Sequence, residues 1–169
     1  MPDAVRWPTL PGGWRLLPCD PRAALAAGAL AIAGVTAWVL LVDADLCRDG
    51  LPLLARETAP LWPRTLISCL GAMREEVVYR LALTTVLAAL PLLFGRRVPG
   101  WWIVAAILAA QFVNIEPIDI AYPVWGTLRF WLVGAVWGWL YWRHGFVTAL
   151  AAHGVVHIVL DPLLRAALA

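Results

Sequence analysis

The chain has 169 residues, of which 62% are apolar and only 14% are charged, and its mean hydropathy is +0.77. Soluble domains are about 45–50% apolar and about 25% charged, so this composition indicates a membrane protein. The formal net charge is +2, and all 13 basic residues are Arg. The high apolar content excludes a disordered chain and collagen. A nucleic-acid-binding domain is also excluded, since no dense basic patch is available to hold phosphate groups.

The apolar residues collect in five blocks that are separated by short charged or Pro- and Gly-containing stretches. In chain order these are residues 23–42, 65–94, 101–115, 124–142 and 146–164. The first block ends in Asp43 and Asp45 and has no small-residue cleavage site, so we interpret it as a retained helix, not a signal peptide. The third block is short for an apolar slab of about 30 Å. The pattern predicts an all-α, polytopic membrane helical bundle of about five transmembrane helices.

Charged residues between the blocks predict the orientation of the chain. If five segments cross in alternation, one side carries Arg6, Arg15, Arg22, Arg96, Arg97 and Arg143. The positive-inside rule places that side in the cytoplasm, with residues 1–22 as a cytoplasmic N-terminal segment. The opposite loops carry acidic residues, namely Asp43, Asp45, Asp49, Glu57, Glu116 and Asp119, together with Arg48, Arg56 and Arg64.

Ionisable residues inside the apolar blocks are the candidate functional residues, because a charge at bilayer depth costs at least about 2.5–3.5 kcal/mol. In the second block Glu76 and Arg80 are four residues apart and can pair on one helical face. Glu75 has no Arg at i+4, so we expect it to be the carboxylate available for proton transfer. The alternative is a structural charge cluster.

The later blocks add further polar side chains. His153, His157 and Asp161 recur every four residues and form one stripe, which is either functional or a packing stripe between helices. Asp161, before Pro162, is expected at the segment boundary. Arg129 is expected to balance Glu76, Asp161 or Glu116, or to hold a substrate carboxylate. Gln111 and Asn114 are the polar residues of the third block.

Depth along the helices predicts where these groups meet. At about 1.5 Å per residue, Asn114, His153, His157 and Asp161 lie from mid-membrane to the non-cytoplasmic side, with the Glu pair nearer the outer surface. We therefore expect one polar intramembrane cavity that satisfies all of them.

The segment EEVVYR, residues 75–80, has the pattern EExxxR, and His153 and His157 follow it on a later apolar segment. Together these motifs resemble the CPBP family, the CAAX protease and bacteriocin-processing membrane proteins, also described as type II CAAX prenyl endopeptidase-like glutamic intramembrane proteases. The resemblance covers roughly residues 65–161 and implies that residues 23–169 form a single membrane-embedded protease-like domain.

The resemblance also implies roles for individual residues. Glu75 would activate a water without a catalytic metal or other cofactor, Glu76 and Arg80 would support it, and His153 would position the water or stabilise the oxyanion. Two positions depart from the family pattern: Asn114 stands where FxxxH has its His, and His157 stands where HxxxN or HxxxD has its last residue. We hypothesise that Asn114 and His157 have exchanged roles across one cavity.

The resulting expectation is an intramembrane endopeptidase that cleaves membrane-tethered proteins in a bacterial inner membrane, in the processing of C-terminal sorting or anchor signals. Its partners are the lipid bilayer and a membrane-anchored protein substrate, and the sequence leaves its oligomeric state open. Two alternatives stay open: a metal-dependent protease that uses His153 and His157 as ligands, and a non-catalytic, immunity-like membrane partner that keeps the scaffold.

Overall fold

The computed structural model describes residues 14–48, 60–95, 97–114 and 123–168, and in this part of the chain the regular structure is helical. Helix α1 is Pro21–Arg48, α2 is Leu61–Phe94 and α3 is Gly100–Val113. Helix α4 consists of the consecutive segments Pro123–Gly126, Thr127–Trp131 and Leu132–His144, and α5 is Phe146–Leu168. The five apolar blocks of the sequence thus correspond to five helices in the described part.

The length and apolar character of the helices fit a membrane bundle. Pro21–Asp43, Leu61–Phe94 and Phe146–Leu164 are each long and apolar enough to cross a bilayer, whereas Gly100–Val113 is a shorter apolar helix. Large apolar side chains also cover the outer surface, Leu25, Leu30 and Leu93 among them. In water such a surface would be unfavourable, and in lipid it is the ordinary exterior. The predicted helical membrane bundle is confirmed.

Helix α5 lies at the centre of the bundle and packs against α1, α2 and α4, while α3 packs against α2 and α4. The buried apolar core lies where these helices meet, and it includes Val35, Trp137, Tyr141, Val156 and Leu160. Because α2, α3, α4 and α5 all converge, polar side chains on their inner faces come together in the interior.

The contact between α3 and α4 is especially close. Gly134 and Gly138 form a GxxxG pair on α4, and both face α3. A Cβ atom at Gly138 would lie 2.5 Å from Ile107 Cγ2, and one at Gly134 would overlap the side chain of Gln111. Small residues at such spacing let helix backbones approach each other in membranes, where apolar association is not driven by water.

The segment before α1 packs onto the start of α5. Trp14 is fully buried, with its ring 4.5 Å from that of Tyr141. The backbone carbonyls of Arg15 and Leu16 accept hydrogen bonds from the N–H groups of Phe146 and Val147, which have no partner within their own helix. At least the last residues of the segment 1–22 are therefore part of the packed bundle.

Two helices widen locally into π-helix. The first segment, Glu76–Thr84, lies in the middle of α2, and the second, Thr127–Trp131, lies near the start of α4. Each contains a charged side chain that is buried or largely buried, Arg80 in the first and Arg129 in the second. Such π-helical turns are rare and often occur at functional sites.

Two boundary predictions are wrong. Asp43 was expected in a loop, but α1 continues to Arg48 and Asp43 is a buried helical residue, while the apolar span Pro21–Asp43 agrees with the first predicted block. Asp161 was expected at the segment boundary, but it is buried inside α5, which continues past Pro162. A carboxylate that has a partner in the bundle can lie inside a helix, and hydropathy alone cannot reveal the partner. Several charges that were expected in loops lie outside the described residues, namely Arg6, Asp49, Arg56, Glu57, Arg96, Glu116 and Asp119.

Candidate active site

The side chain of Arg80 lies between the two adjacent carboxylates of α2. Its Nη1 is 3.6 Å from Glu75 Oε2, and its Nε is 3.5 Å from Glu76 Oε1. Arg80 is 1% exposed, so this guanidinium is held almost entirely by protein groups. Both acids of the EExxxR motif therefore share one cation.

The expected pairing of Arg80 with Glu76 is confirmed, whereas the expectation that Glu75 has no Arg partner is wrong. In a regular α-helix only i,i+3 and i,i+4 side chains face each other, and Glu75 is five residues before Arg80. In the π-helical segment that starts at Glu76, hydrogen bonds run from i to i+5, which widens the turn. The wider turn brings the i+5 side chain back toward Glu75, and the sequence pattern alone does not show this.

Glu76 is fully buried and holds His153 of α5. Glu76 Oε1 is 2.9 Å from His153 Nδ1. The imidazole also stacks on Trp137 of α4, with ring centroids 5.1 Å apart and an interplanar angle of 18°. Glu76 and Trp137 thus fix both the position and the plane of the His153 ring, as outer partners do for a functional imidazole.

Helix α3 contributes one amide to each member of the Glu75 and Arg80 pair. Asn114 Nδ2 donates to Glu75 Oε2 at 3.2 Å, and Gln111 Oε1 accepts from Arg80 Nη2 at 3.2 Å. Arg80 Nη2 also lies 3.4 Å from the carbonyl oxygen of Gly134 on α4. The sequence singled out Asn114 but gave Gln111 no role, although their i,i+3 spacing puts both on one face.

These groups surround a small polar cavity of about 90 Å³ in the interior of the bundle. Glu75 lines the cavity and its side chain is 28% exposed, whereas Glu76, behind it, is 0% exposed. A cavity of this size and polarity has room for several water molecules. The polar residues in its wall are Glu75, Arg80, Asn114, Arg129, His153 and His157.

His157 lies one helical turn beyond His153, and the two ring centroids are 5.4 Å apart. Its Nδ1 is 3.8 Å from Asp161 Oδ1, an ion-pair distance, and Asp161 itself is buried. No contact joins His157 to Asn114 directly among those described, but both side chains line the same cavity as Glu75. The predicted stripe on α5 therefore faces the cavity at His153 and His157 and ends in a buried carboxylate.

Arg129 forms an ion pair that the sequence did not predict. Its Nη1 is 3.0 Å from both carboxylate oxygens of Asp43 on α1. Of the partners that the sequence suggested, Glu116 lies outside the described residues. Nearby, Trp38 Nε1 donates to the carbonyl oxygen of Leu128 at 2.9 Å. The π-helical turn of α4 is thus tied to α1 at two points.

An apolar groove lies beside the cavity, between α1 and α4. It has a volume of about 550 Å³ and is lined by apolar side chains and glycine. Val35 and Val133 line both the groove and the polar cavity. These two side chains therefore separate the lipid-facing groove from the cavity that contains Glu75.

The arrangement supplies the groups that amide hydrolysis needs. A carboxylate lines a space that admits water, and imidazole and amide groups surround the same space, which suits a base and preorganised donors. Within the described ranges no cluster of three His, Cys, Asp or Glu side chains has the geometry to hold a metal ion. Cys69 Sγ instead donates to the carbonyl oxygen of Gly154, 3.5 Å away.

Comparison with known proteins identifies the family. The sequence profile of the type II CAAX prenyl endopeptidase Rce1-like family matches residues 57–159, which is more than half of the chain and contains every polar residue of the cavity wall. No curated protein and no solved structure matches the chain. On this match the chain belongs to the type II CAAX prenyl endopeptidase Rce1-like family, a family of membrane endopeptidases.

Proposed function

We propose that the protein is a glutamic-type intramembrane endopeptidase that hydrolyses peptide bonds of membrane-tethered proteins. One observation carries this proposal: Glu75 lies partly exposed in the wall of a polar cavity that it shares with Asn114, His153 and His157. Its neighbour Glu76 is buried behind it and is occupied by Arg80 and His153. In this proposal Glu75 is the catalytic carboxylate and Glu76 is a structural one.

In the proposed mechanism Glu75 is the general base. Its carboxylate takes a proton from a water molecule as the water oxygen attacks the carbonyl carbon of the scissile peptide bond. Glu75 then gives that proton to the leaving amine nitrogen as the C–N bond breaks. Arg80 and Asn114, which both contact Glu75 Oε2, hold the carboxylate in place during these steps.

His153 orients the water in this mechanism. With Glu76 ionised, His153 Nδ1 donates its proton to Glu76 Oε1, so that Nε2 is the nitrogen that accepts a hydrogen bond. The ring cannot rotate without losing both the Glu76 contact and the stack on Trp137. A water bound to Nε2 is therefore held in a fixed position.

Asn114 and His157 stabilise the oxyanion. Asn114 Nδ2 has two N–H groups and uses one for Glu75, so the other can donate to the oxygen on which negative charge develops. His157, when protonated, donates from the other side of the cavity, and the buried Asp161 stabilises its positive charge from 3.8 Å. In this assignment Asn114 stands at the position where the family pattern has a His, and His157 stands at the position where it has Asn or Asp. Both residues still donate to the oxyanion, so the same two kinds of donor are present in exchanged positions.

The substrate class follows from the surroundings of the site. The cavity lies inside a membrane bundle and is separated by two valines from an apolar groove that suits a lipid-embedded segment. We propose that the physiological reaction is the processing of C-terminal sorting or anchor signals in a bacterial inner membrane, with the N-terminus in the cytoplasm and the site toward the other side. The arginine distribution in the sequence supports this orientation.

The test is cleavage of membrane-anchored candidate substrates, followed by intact mass in a matched lipid system. Wild type is compared with Glu75→Gln, which keeps the size of the side chain and removes the base. Arg74→Gln is the matched control, because Arg74 is the exposed charged neighbour of Glu75 and is not among the residues that line the cavity. We expect Glu75→Gln to lose cleavage by at least about 100-fold and Arg74→Gln to retain it.

The alternatives give different results in the same assay. Cleavage that a strong chelator abolishes would favour a metal site at His153 and His157 and would contradict the proposal. Cleavage that survives in Glu75→Gln would contradict it too. If the folded wild-type protein cleaves none of the substrates, the non-catalytic, immunity-like membrane partner is favoured. The structural observation that supports this alternative is that an amide, Asn114, contacts the carboxylate of Glu75 where the family pattern has a His.

A further inference from the structure

Arg80 is held on the side away from the carboxylates by two groups that lie outside the EExxxR motif. Its Nη2 donates to Gln111 Oε1 on α3 and lies 3.4 Å from the carbonyl oxygen of Gly134 on α4. Gln111 is 2% exposed and Arg80 is 1% exposed, so both side chains are surrounded almost entirely by protein groups. The position of the guanidinium therefore depends on α3 and α4 as much as on its own helix.

Gly134 makes this arrangement possible. A Cβ atom at that position would overlap the amide of Gln111 and would lie 3.1 Å from Arg80 Nη2. Its backbone conformation is ordinary helix, and no positive φ angle requires glycine there. Gly134 is therefore suited to this position because it has no side chain, which leaves room for the side chains of Gln111 and Arg80.

Helix α3 also links this support to the proposed base. Gln111 accepts a hydrogen bond from Arg80, and Asn114, one turn later on the same face, donates to Glu75. The acceptor contacts the cation and the donor contacts the anion, so each amide matches the charge of its partner. A shift of α3 relative to α2 would alter both contacts together.

We propose that Gln111 and Gly134 are positioning residues of the active site, which hold the Arg80 guanidinium in its place beside Glu75. The proposal rests on the function proposed for Glu75. Gln111 acts through Arg80 and touches neither the substrate nor the water. Gly134 acts by leaving room for both side chains and by presenting its carbonyl oxygen to Arg80.

The first variant is Gln111→Met, which preserves the length and apolar volume of the side chain but removes the acceptor. Displacement of a positioned group by about 1 Å can lower the rate by about 100-fold, so we expect kcat to fall by about 10- to 100-fold. KM should change little, because Gln111 makes no contact with the cavity in which the substrate binds. Arg80 Nη2 then has only the carbonyl oxygen of Gly134, so some loss of stability is expected, and kcat is compared at a temperature at which the variant is fully folded.

The second comparison uses glycine variants. Gly134→Ala should lower kcat strongly. Gln111→Ala combined with Gly134→Ala should be little worse than Gln111→Ala alone, because the contacts of the added Cβ under 3.0 Å are with the Gln111 side chain and the 3.1 Å contact with Arg80 Nη2 requires only a small shift. Gly138→Ala is the matched control, since it crowds α3 in the same way but against the apolar side chain of Ile107. It should lower the melting temperature and leave the kcat of the folded protein near the wild-type value.

A chemical readout makes the test independent of any substrate. The probe is N,N′-dicyclohexylcarbodiimide, which modifies protonated carboxyl groups in apolar surroundings, and labelling of Glu75 is followed by peptide mass. With Arg80 displaced, the guanidinium no longer occupies Glu75 Oε2, so the carboxyl group is more available to the reagent, and Gln111→Met and Gly134→Ala should be labelled faster than wild type. Gly138→Ala should be labelled at the wild-type rate.

The outcomes separate this inference from the proposed function. If Gln111→Met keeps the wild-type kcat and labelling rate, or if kcat falls while the labelling rate stays constant, the positioning role is wrong. If wild type cleaves no substrate, the proposed function loses its support, and the labelling rates alone decide whether Gln111 and Gly134 position Arg80. Faster labelling in both variants, with Gly138→Ala unchanged, supports the inference in either case.

Discussion

Glu75 and Glu76 are neighbours in the chain but lie in different surroundings. Glu76 is fully buried between Arg80 and His153, and each of these partners lies within 3.5 Å of its Oε1. Glu75 shares Arg80 at a longer distance and borders the cavity. Breaking a buried charge pair leaves an uncompensated charge, which is costly, so Glu76 is suited to a fixed structural position and Glu75 to proton transfer.

The proposed exchange between Asn114 and His157 can be tested by swapping the two residues. Asn114→Ala and His157→Ala should each lower kcat by about 10- to 1,000-fold, as the loss of an oxyanion donor does. The double variant Asn114→His with His157→Asn restores the family pattern and should be more active than Asn114→His alone. Cleavage rates on one substrate measure this, and a double variant as inactive as the worst single variant would contradict the exchange.

The ion pair between Arg129 and Asp43 is expected to contribute to stability. Asp43 is 2% exposed, so removal of the arginine takes its charged partner away from a buried carboxylate. Arg129→Gln should therefore lower the free energy of unfolding by about 3–5 kcal/mol. Adding Asp43→Asn to Arg129→Gln should recover a large part of that loss. Thermal unfolding in detergent measures both variants, and equal stability of Arg129→Gln and wild type would contradict the prediction.

At the scale of the helices, both π-helical turns occur where a charged side chain turns into the interior. The turn in α2 lets Arg80 reach two carboxylates, and the turn in α4 contains Arg129. Within α2, Thr84 Oγ1 donates to the carbonyl oxygen of Tyr79 at 2.6 Å and Thr85 Oγ1 lies 3.4 Å from that of Arg80. These i to i−5 bonds stabilise the widened turn.

Removal of one of these hydroxyl groups should weaken the turn. Thr84→Val preserves the shape of the side chain but loses the bond to Tyr79, so we expect a loss of about 1 kcal/mol in stability and a lower kcat. The matched control is Thr148→Val, because Thr148 Oγ1 donates to the carbonyl oxygen of His144, four residues earlier, at the junction of α4 and α5 and outside both π-helical segments. Thr148→Val should affect stability alone, and equal effects of both variants on kcat would contradict a special role for the π-turn.

At the scale of the whole molecule, the chain encloses a polar cavity in a lipid-facing shell. Cavity-lining residues come from all five helices, and Val39 of α1, Glu75 of α2, Asn114 at the end of α3, Phe130 of α4 and Leu160 of α5 are examples. No single helix pair could shield Glu75 and Arg80 from lipid. The bundle is therefore required to make buried charge tolerable in a membrane.

The orientation of the bundle can be measured at Cys19, which is exposed in the segment before α1. In a variant with Cys47→Ser and Cys69→Ser, a membrane-impermeant maleimide should label Cys19 in inverted membrane vesicles but not in intact cells, since the arginine distribution predicts a cytoplasmic position for this segment. Vesicles opened with detergent provide the labelling maximum. Labelling in intact cells would reverse the proposed orientation.

The sequence by itself determined the class of the protein and the location of its helices. Composition and apolar blocks indicated a membrane bundle, because a lipid-facing surface requires apolar residues regardless of the fold. The EExxxR motif and the His153 and His157 spacing indicated the candidate site, because side chains one turn apart share a helical face. The profile match to residues 57–159 agrees with that family assignment.

Only the tertiary structure decided which charges pair and which side chains meet. The pairing of Arg129 with Asp43, the contact of Arg80 with Glu75 and the role of Gln111 all depend on contacts between helices or on a change in helix type. Periodicity in the sequence describes one regular helix at a time. It contains no information on which face of another helix lies opposite. The packing of the other helices against α2 places Glu75 in the wall of the cavity and Glu76 behind it.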